Sequence, residues 1–165
     1  MRKLAAAAAL ALTAVLATSC RPETACPAIG QAPVVSLTVD RAYAPSVKTV
    51  HLKACQDGRC AEADLALVPG SIAVDQGCEP GSSGGDGVCS ATSSPDGTLT
   101  GMLMMEALTA NRIEVTATGT DTAGHPLPAR TAAFIPRVAH PFGEQCGSFV
   151  TAWVVLDAAG LRQAP

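Results

Sequence analysis

Aromatic residues are nearly missing from this chain. Tyr43, Phe134, Phe142, Phe149 and Trp153 are the whole set, 3% of the residues. A core built with so few must rely on valine, leucine and alanine, which bury less area per side chain. The scarcity also speaks against sites that grip sugars, which use aromatic faces. Charge is sparse at 15%, and it leans acidic, with 11 Lys and Arg against 14 Asp and Glu. Without Arg2 and Lys3 the balance moves from −3 to −5. That argues against nucleic acid or anionic lipid as a partner.

Catalytic patterns are also lacking. No serine sits at a strand-to-helix nucleophile elbow. His51 falls on the polar face of a strand, and His125 and His140 each precede a proline in a loop, so the three read as solvated. Glu62 and Asp64 share a strand face, but a paired-carboxylate glycosidase would surround them with aromatics. They read as a polar outer face. The glycine-rich stretch Gly81 to Gly87 leads into more loop rather than a helix N-terminus, so it is not a phosphate cradle. The expectation is a protein without enzymatic activity and without a cofactor.

After Cys20 no apolar run approaches the roughly 20 residues that a spanning helix needs. The N-terminus is different. Arg2 and Lys3 precede a stretch from Leu4 to Ala17 in which only Thr13 is polar, and Ala17-Thr18-Ser19 follows as a small-residue peptidase site. This is a targeting signal. Leu16-Ala17-Thr18-Ser19-Cys20 resembles the lipobox of bacterial lipoproteins, although that family prefers leucine where Ala17 stands. The resemblance implies a diacylglycerol on the Cys20 thiol, cleavage just before it, and tethering to the outer face of the cell membrane. The alanine-rich signal, the lipobox and the Cys-x-Asp-Gly-x-Cys run of residues 55–60 together resemble small surface lipoproteins of high-GC Gram-positive bacteria. The expected organisation is a signal over 1–19, a tether over 20–32 and one domain over 33–165.

Cysteine parity agrees. There are seven cysteines, and an exported chain should not leave a reactive thiol free. Acylating Cys20 leaves six for three disulfides. Asp57-Gly58 suits a two-residue type I′ turn. Gln56 then faces Arg59, and Cys55 faces Cys60 as a non-hydrogen-bonded pair with Cα atoms about 4.5 Å apart, close enough for a bond. Cys78 and Cys89 are expected to staple a Gly- and Ser-rich loop over Gly77 to Gly97. By elimination Cys26 pairs with Cys146.

The remaining pattern has period two. Val35, Leu37 and Val39 alternate with polar residues, as do Val50, Leu52 and Ala54, and then Ile113, Val115 and Ala117. Each is a half-buried strand. Ala61 to Leu67 and Ala129 to Ile135 read as returning strands, Ile72 to Val74 as a short edge strand, and Phe149 to Leu156 as an apolar strand. Pro69-Gly70-Ser71 reads as a turn and Pro136 to Gly147 as a loop. Thr98 to Leu108 fits either a strand or a helical turn. Seven to nine short strands predict an all-β fold, an antiparallel immunoglobulin-like β-sandwich held by disulfides, with a closed barrel as the alternative. Arg112 to Asp121 followed by Gly124 resembles the late hairpin of such domains. The cysteine–tryptophan–cysteine pattern of antibodies is not met, because Trp153 lies in the last of these strands.

The function expected is binding or scaffolding at the cell envelope, to a protein or polymer, through sheet edges or loops such as Gly77–Gly97 and Pro136–Gly147. Two alternatives remain. Met102 and Met104 would share a strand face, and thioethers with a histidine could carry copper, although methionine as core filler is the simpler reading. A loop held between Cys78 and Cys89 could instead be offered to a protease as an inhibitor.

Overall fold

A computed structural model of the chain describes residues 25–79 and 88–165. The expected signal over 1–19 and Cys20 lie outside the described residues. Ten strands are formed: β1 (Val34–Val39), β2 (Val47–Gln56), β3 (Arg59–Asp64), β4 (Val68–Glu79), β5 (Val88–Met104), β6 (Ile113–Asp121), β7 (Arg130–Phe134), β8 (Arg137–Ala139), β9 (Phe149–Leu156) and β10 (Leu161–Gln163). They build two sheets, one in the order β10-β9-β1-β5-β4 with β8 also on β9, the other β3-β2-β6-β7. Every pairing is antiparallel except β1 with β9. The fold is an all-β, disulfide-bonded, immunoglobulin-like sandwich. No helix among the described residues is long and apolar enough to cross a membrane.

The core follows from alternation. Val35, Leu37 and Val39 point inward from β1, and Ala152, Val154 and Leu156 from β9. Facing them are Val50, Leu52 and Ala54 of β2 and Ile113, Val115 and Ala117 of β6. Phe134 is the one aromatic in this buried set, so small β-branched residues fill the space between the sheets. The β2–β3 hairpin turns at Asp57 (φ 52°) and Gly58 (φ 78°), the pair of positive angles that a type I′ turn needs.

Three sequence expectations need correction. Of the expected loop Gly77 to Gly97, the described flanks are strand, since β4 runs to Glu79 and β5 starts at Val88, paired from Ser71↔Pro95 to Glu79↔Val88; residues 80–87 lie outside the described residues. Pro69-Gly70-Ser71 is not a turn but a register shift inside β4. Gly70 is required there, since a Cβ would lie 2.0 Å from Thr98 Oγ1. Of the two readings left open for Thr98 to Leu108, the strand is formed, as β5 runs on to Met104. Pro136 to Gly147 is not wholly a loop: it holds β8 and a single 3-10 turn over Glu144–Cys146. These differences share a cause. Strands that bury neither face carry no apolar period, and so cannot be told from loops by composition.

Candidate functional site

The most distinctive element is the outer part of β4 and β5. β5 pairs with β1 only from Leu99 to Met104. From Thr98 back to Val88 its strand partner is β4 alone, and β4 is the last strand of its sheet. The two therefore leave the sandwich as a two-stranded arm of about 30 Å, at about 3.3 Å per residue. Ser71 to Cys78 and Val88 to Ser93 are exposed throughout. Ile72, Val74 and Val88 present apolar side chains to solvent, Val88 at 77% exposure. Both outer edges of the arm carry backbone groups with no third strand, the arrangement that accepts an added strand.

A ribbon of two strands is marginal in water, and its ends are secured. Near the tip Cys78 is bonded to Cys89. At the base Asp96 accepts hydrogen bonds from the backbone N–H and hydroxyl of Thr98, at 2.8 and 2.7 Å. The side-chain bond, then the backbone bond, holds the Asp96 carboxyl below the ordinary aspartate value of 3.8.

Direction follows from register. Val34 lies beside Met104 and Val39 beside Leu99, so the arm extends past the C-terminal end of β1. Cys26 is bonded to Cys146, shortly before β9. Because β9 runs parallel to β1, with Val35 beside Ala152, that bond sits at the N-terminal end of β1. The arm and the Cys26–Cys146 bond occupy opposite poles. The third bond, Cys55–Cys60, crosses the β2–β3 hairpin with Cα atoms 4.1 Å apart. Disulfides of this number belong to an oxidising, extracytoplasmic setting.

The other sequence candidates scatter. His51 Nδ1 lies 2.9 Å from Asp64, and Lys53 lies 3.5 Å from Glu62. Both carboxylates thus face β2 cations or imidazole across the hairpin instead of each other. His125 contacts Asp121 at 3.2 Å, and His140 Nδ1 contacts the Gly147 carbonyl at 3.2 Å. Met102 and Met104 do share a face, but it is the outer one. At 69% and 60% exposure they are not core filler, a role that falls to Met105. Met102 stands beside Ser36, whose other neighbour is Trp153. Among the described residues no three His, Cys, Asp or Glu cluster around a metal position.

A shallow cleft of about 350 Å³ lies beside the β2–β3 hairpin, lined by Gln56, Asp57, Arg59, Met105, Glu106 and Thr109. Arg59 and Glu106 pair at 3.1 Å along its wall. Its polar groups are satisfied by one another, which suits a structural clamp. Sequence reading missed both the clamp and the arm. Val50, Leu52 and Ala54 already put Gln56 on the inward parity, and Ile72 and Val74 alternate ahead of Cys78. Comparison of the chain with protein-family models, with curated proteins and with solved structures finds no match.

Proposed function

We propose that the chain is a lipid-anchored, non-catalytic binding module of the cell envelope that meets a protein or polymer partner through the β4–β5 arm. The observation that carries this reading is the arm itself. It exposes Ile72, Val74 and Val88 and two open strand edges, and it leaves the sandwich at the pole opposite Cys26. A tether ending at Cys26 would keep that pole near the membrane and hold the arm outward. Disulfides suit the outer face of a membrane, and acylation of Cys20 leaves the other six cysteines fully paired. The two-chain lipid expected on Cys20 gives stable anchoring where one chain would be marginal.

The test is site-specific photocrosslinking of the full chain in intact cells. A crosslinker replacing Ile72 or Val88 should trap one partner of defined mass. A crosslinker at Thr131, on the other sheet, should not. Equal trapping at all three positions, or none at Ile72 and Val88, would remove the arm as the binding element.

A further inference from the structure

The pole opposite the arm has a composition of its own. Cys26 through Val34 and Val138 through Val150, joined by the Cys26–Cys146 bond, hold Glu144 as their sole Asp, Glu, Lys or Arg, while the segment after β5 at the same end carries the Arg59–Glu106 pair. The segment ahead of β1 is also fixed to the body. Cys26 is bonded to Cys146, and the Gln31 side chain both donates to the Val150 carbonyl and accepts from the Val150 N–H. Gln31 thereby continues the pairing of β9 beyond the end of β1. Around these ties Ile29 is 58% exposed and Phe142 37%. Phe142 stands edge-on to Phe149, ring centres 6.0 Å apart, which fixes its ring at the surface. The arm contrasts with this pole: its described residues between Val68 and Leu99 include Asp75, Glu79 and Asp96 and no Lys or Arg.

We infer that this pole rests on the lipid surface, with Phe142 and Ile29 at the boundary between headgroups and acyl chains. The inference builds on the proposed anchor at Cys20. Six peptide steps separate Cys20 from Cys26, so even a fully extended spacer reaches only about 20 Å. The Cys26–Cys146 end is thus held within about half a bilayer thickness of its own acyl chains. A surface held there contacts lipid if its desolvation cost is low, and the nearly uncharged stretches Cys26–Val34 and Val138–Val150 meet that condition. Exposed Phe and Ile side chains then gain from leaving water, as on interfacial helices. With no Lys or Arg in these two stretches, the contact is apolar, and zwitterionic lipid is enough.

The test uses the full chain, made in a host that processes lipoproteins and reconstituted into phosphatidylcholine vesicles with brominated acyl chains. Trp153 is replaced by W153F, and a single reporter is added as F142W, as I29W or, on the arm, as V88W. The F142W and I29W reporters should be quenched at least about twofold more than V88W, as expected for side chains reaching the acyl boundary. Two pole reporters are used so that one disturbed variant, recognised by its circular dichroism, leaves the other to decide. If mass spectrometry shows Cys20 acylated and the protein floats with vesicles, yet both pole reporters match V88W, the lipid contact is overturned and the anchor stands. If Cys20 is unmodified and the protein stays with the aqueous phase, the anchor reading falls and the contact falls with it.

Discussion

The side-chain amide of Gln56 grips the backbone of Thr109 with both of its ends, donating to the carbonyl at 3.0 Å and accepting from the N–H at 2.9 Å. The same Nε2 donates to the Asn111 carbonyl at 2.7 Å, and Asp57 takes bonds from the Thr109 hydroxyl and the Asn111 amide. Gln56 is the one buried polar residue among those described, 6% exposed. It ties the β2–β3 hairpin to the segment between β5 and β6. The Q56L variant keeps the volume but strips partners from three backbone groups. Its expected cost is about 1–3 kcal/mol, read as a lower urea midpoint with an unchanged slope.

The base of the arm gives a second prediction. The G70A variant must push Thr98 aside, and Thr98 is held by Asp96. Overpacking of this kind costs about 1–3 kcal/mol. The double variant G70A/T98A removes the clashing hydroxyl and should recover part of that loss. Additive losses in a double-mutant cycle would mean that the contact is not the cause.

The three disulfides should not be equivalent. Chain-entropy reasoning assigns about 5 kcal/mol to Cys26–Cys146 and about 2 kcal/mol to Cys55–Cys60. C26S/C146S should therefore lower the melting temperature much more than C55S/C60S. C78S/C89S should behave differently again. Its bond lies on a ribbon whose described residues from Ser71 to Cys78 and Val88 to Ser93 are exposed, so global melting should hardly move. Amide exchange from Ile72 to Gln76 should instead accelerate, the mark of local opening.

Acid should weaken the fold through three turn carboxylates. Asp121 is held low chiefly by the backbone N–H of His125, and Asp157 chiefly by that of Gly160, as Asp96 is by Thr98. A carboxyl with a lowered folded pKa contributes fully while ionised in both states, above the ordinary value of 3.8. The contribution is lost as pH falls from there through the folded value. Stability should thus be flat above that range and drop below it. D121N, D157N and D96N should each reduce the drop. Equal steepness in all four proteins would remove this explanation.

The sandwich was legible wherever one strand face is buried. Val35-Leu37-Val39, Val50-Leu52-Ala54 and Ile113-Val115-Ala117 announce their strands by alternation, and Asp57-Gly58 announces the hairpin that aligns Cys55 with Cys60. The arm was not legible, because Ser90 to Asp96 has no core to face and its Ser, Thr and Pro content resembles a loop. Met102 and Met104 misled for a related reason: apolar side chains on an outer face look like core until the sheet's neighbours are known. The clamp at Gln56 was hidden because its partners are backbone groups more than fifty residues away.

The irregularities of the ribbon have a consequence for self-association. Pairing is broken between Pro69 and Ser71 and again between Asp75 and Gly77, and Pro95 removes a donor from the opposite strand. Beyond the base, the longest stretch in unbroken register is Ser71 to Asp75. A second copy of the chain trying to zip alongside would lose step after a few rungs, which disfavours the endless stacking that builds fibrils. A short segment of a different protein faces no such obstacle.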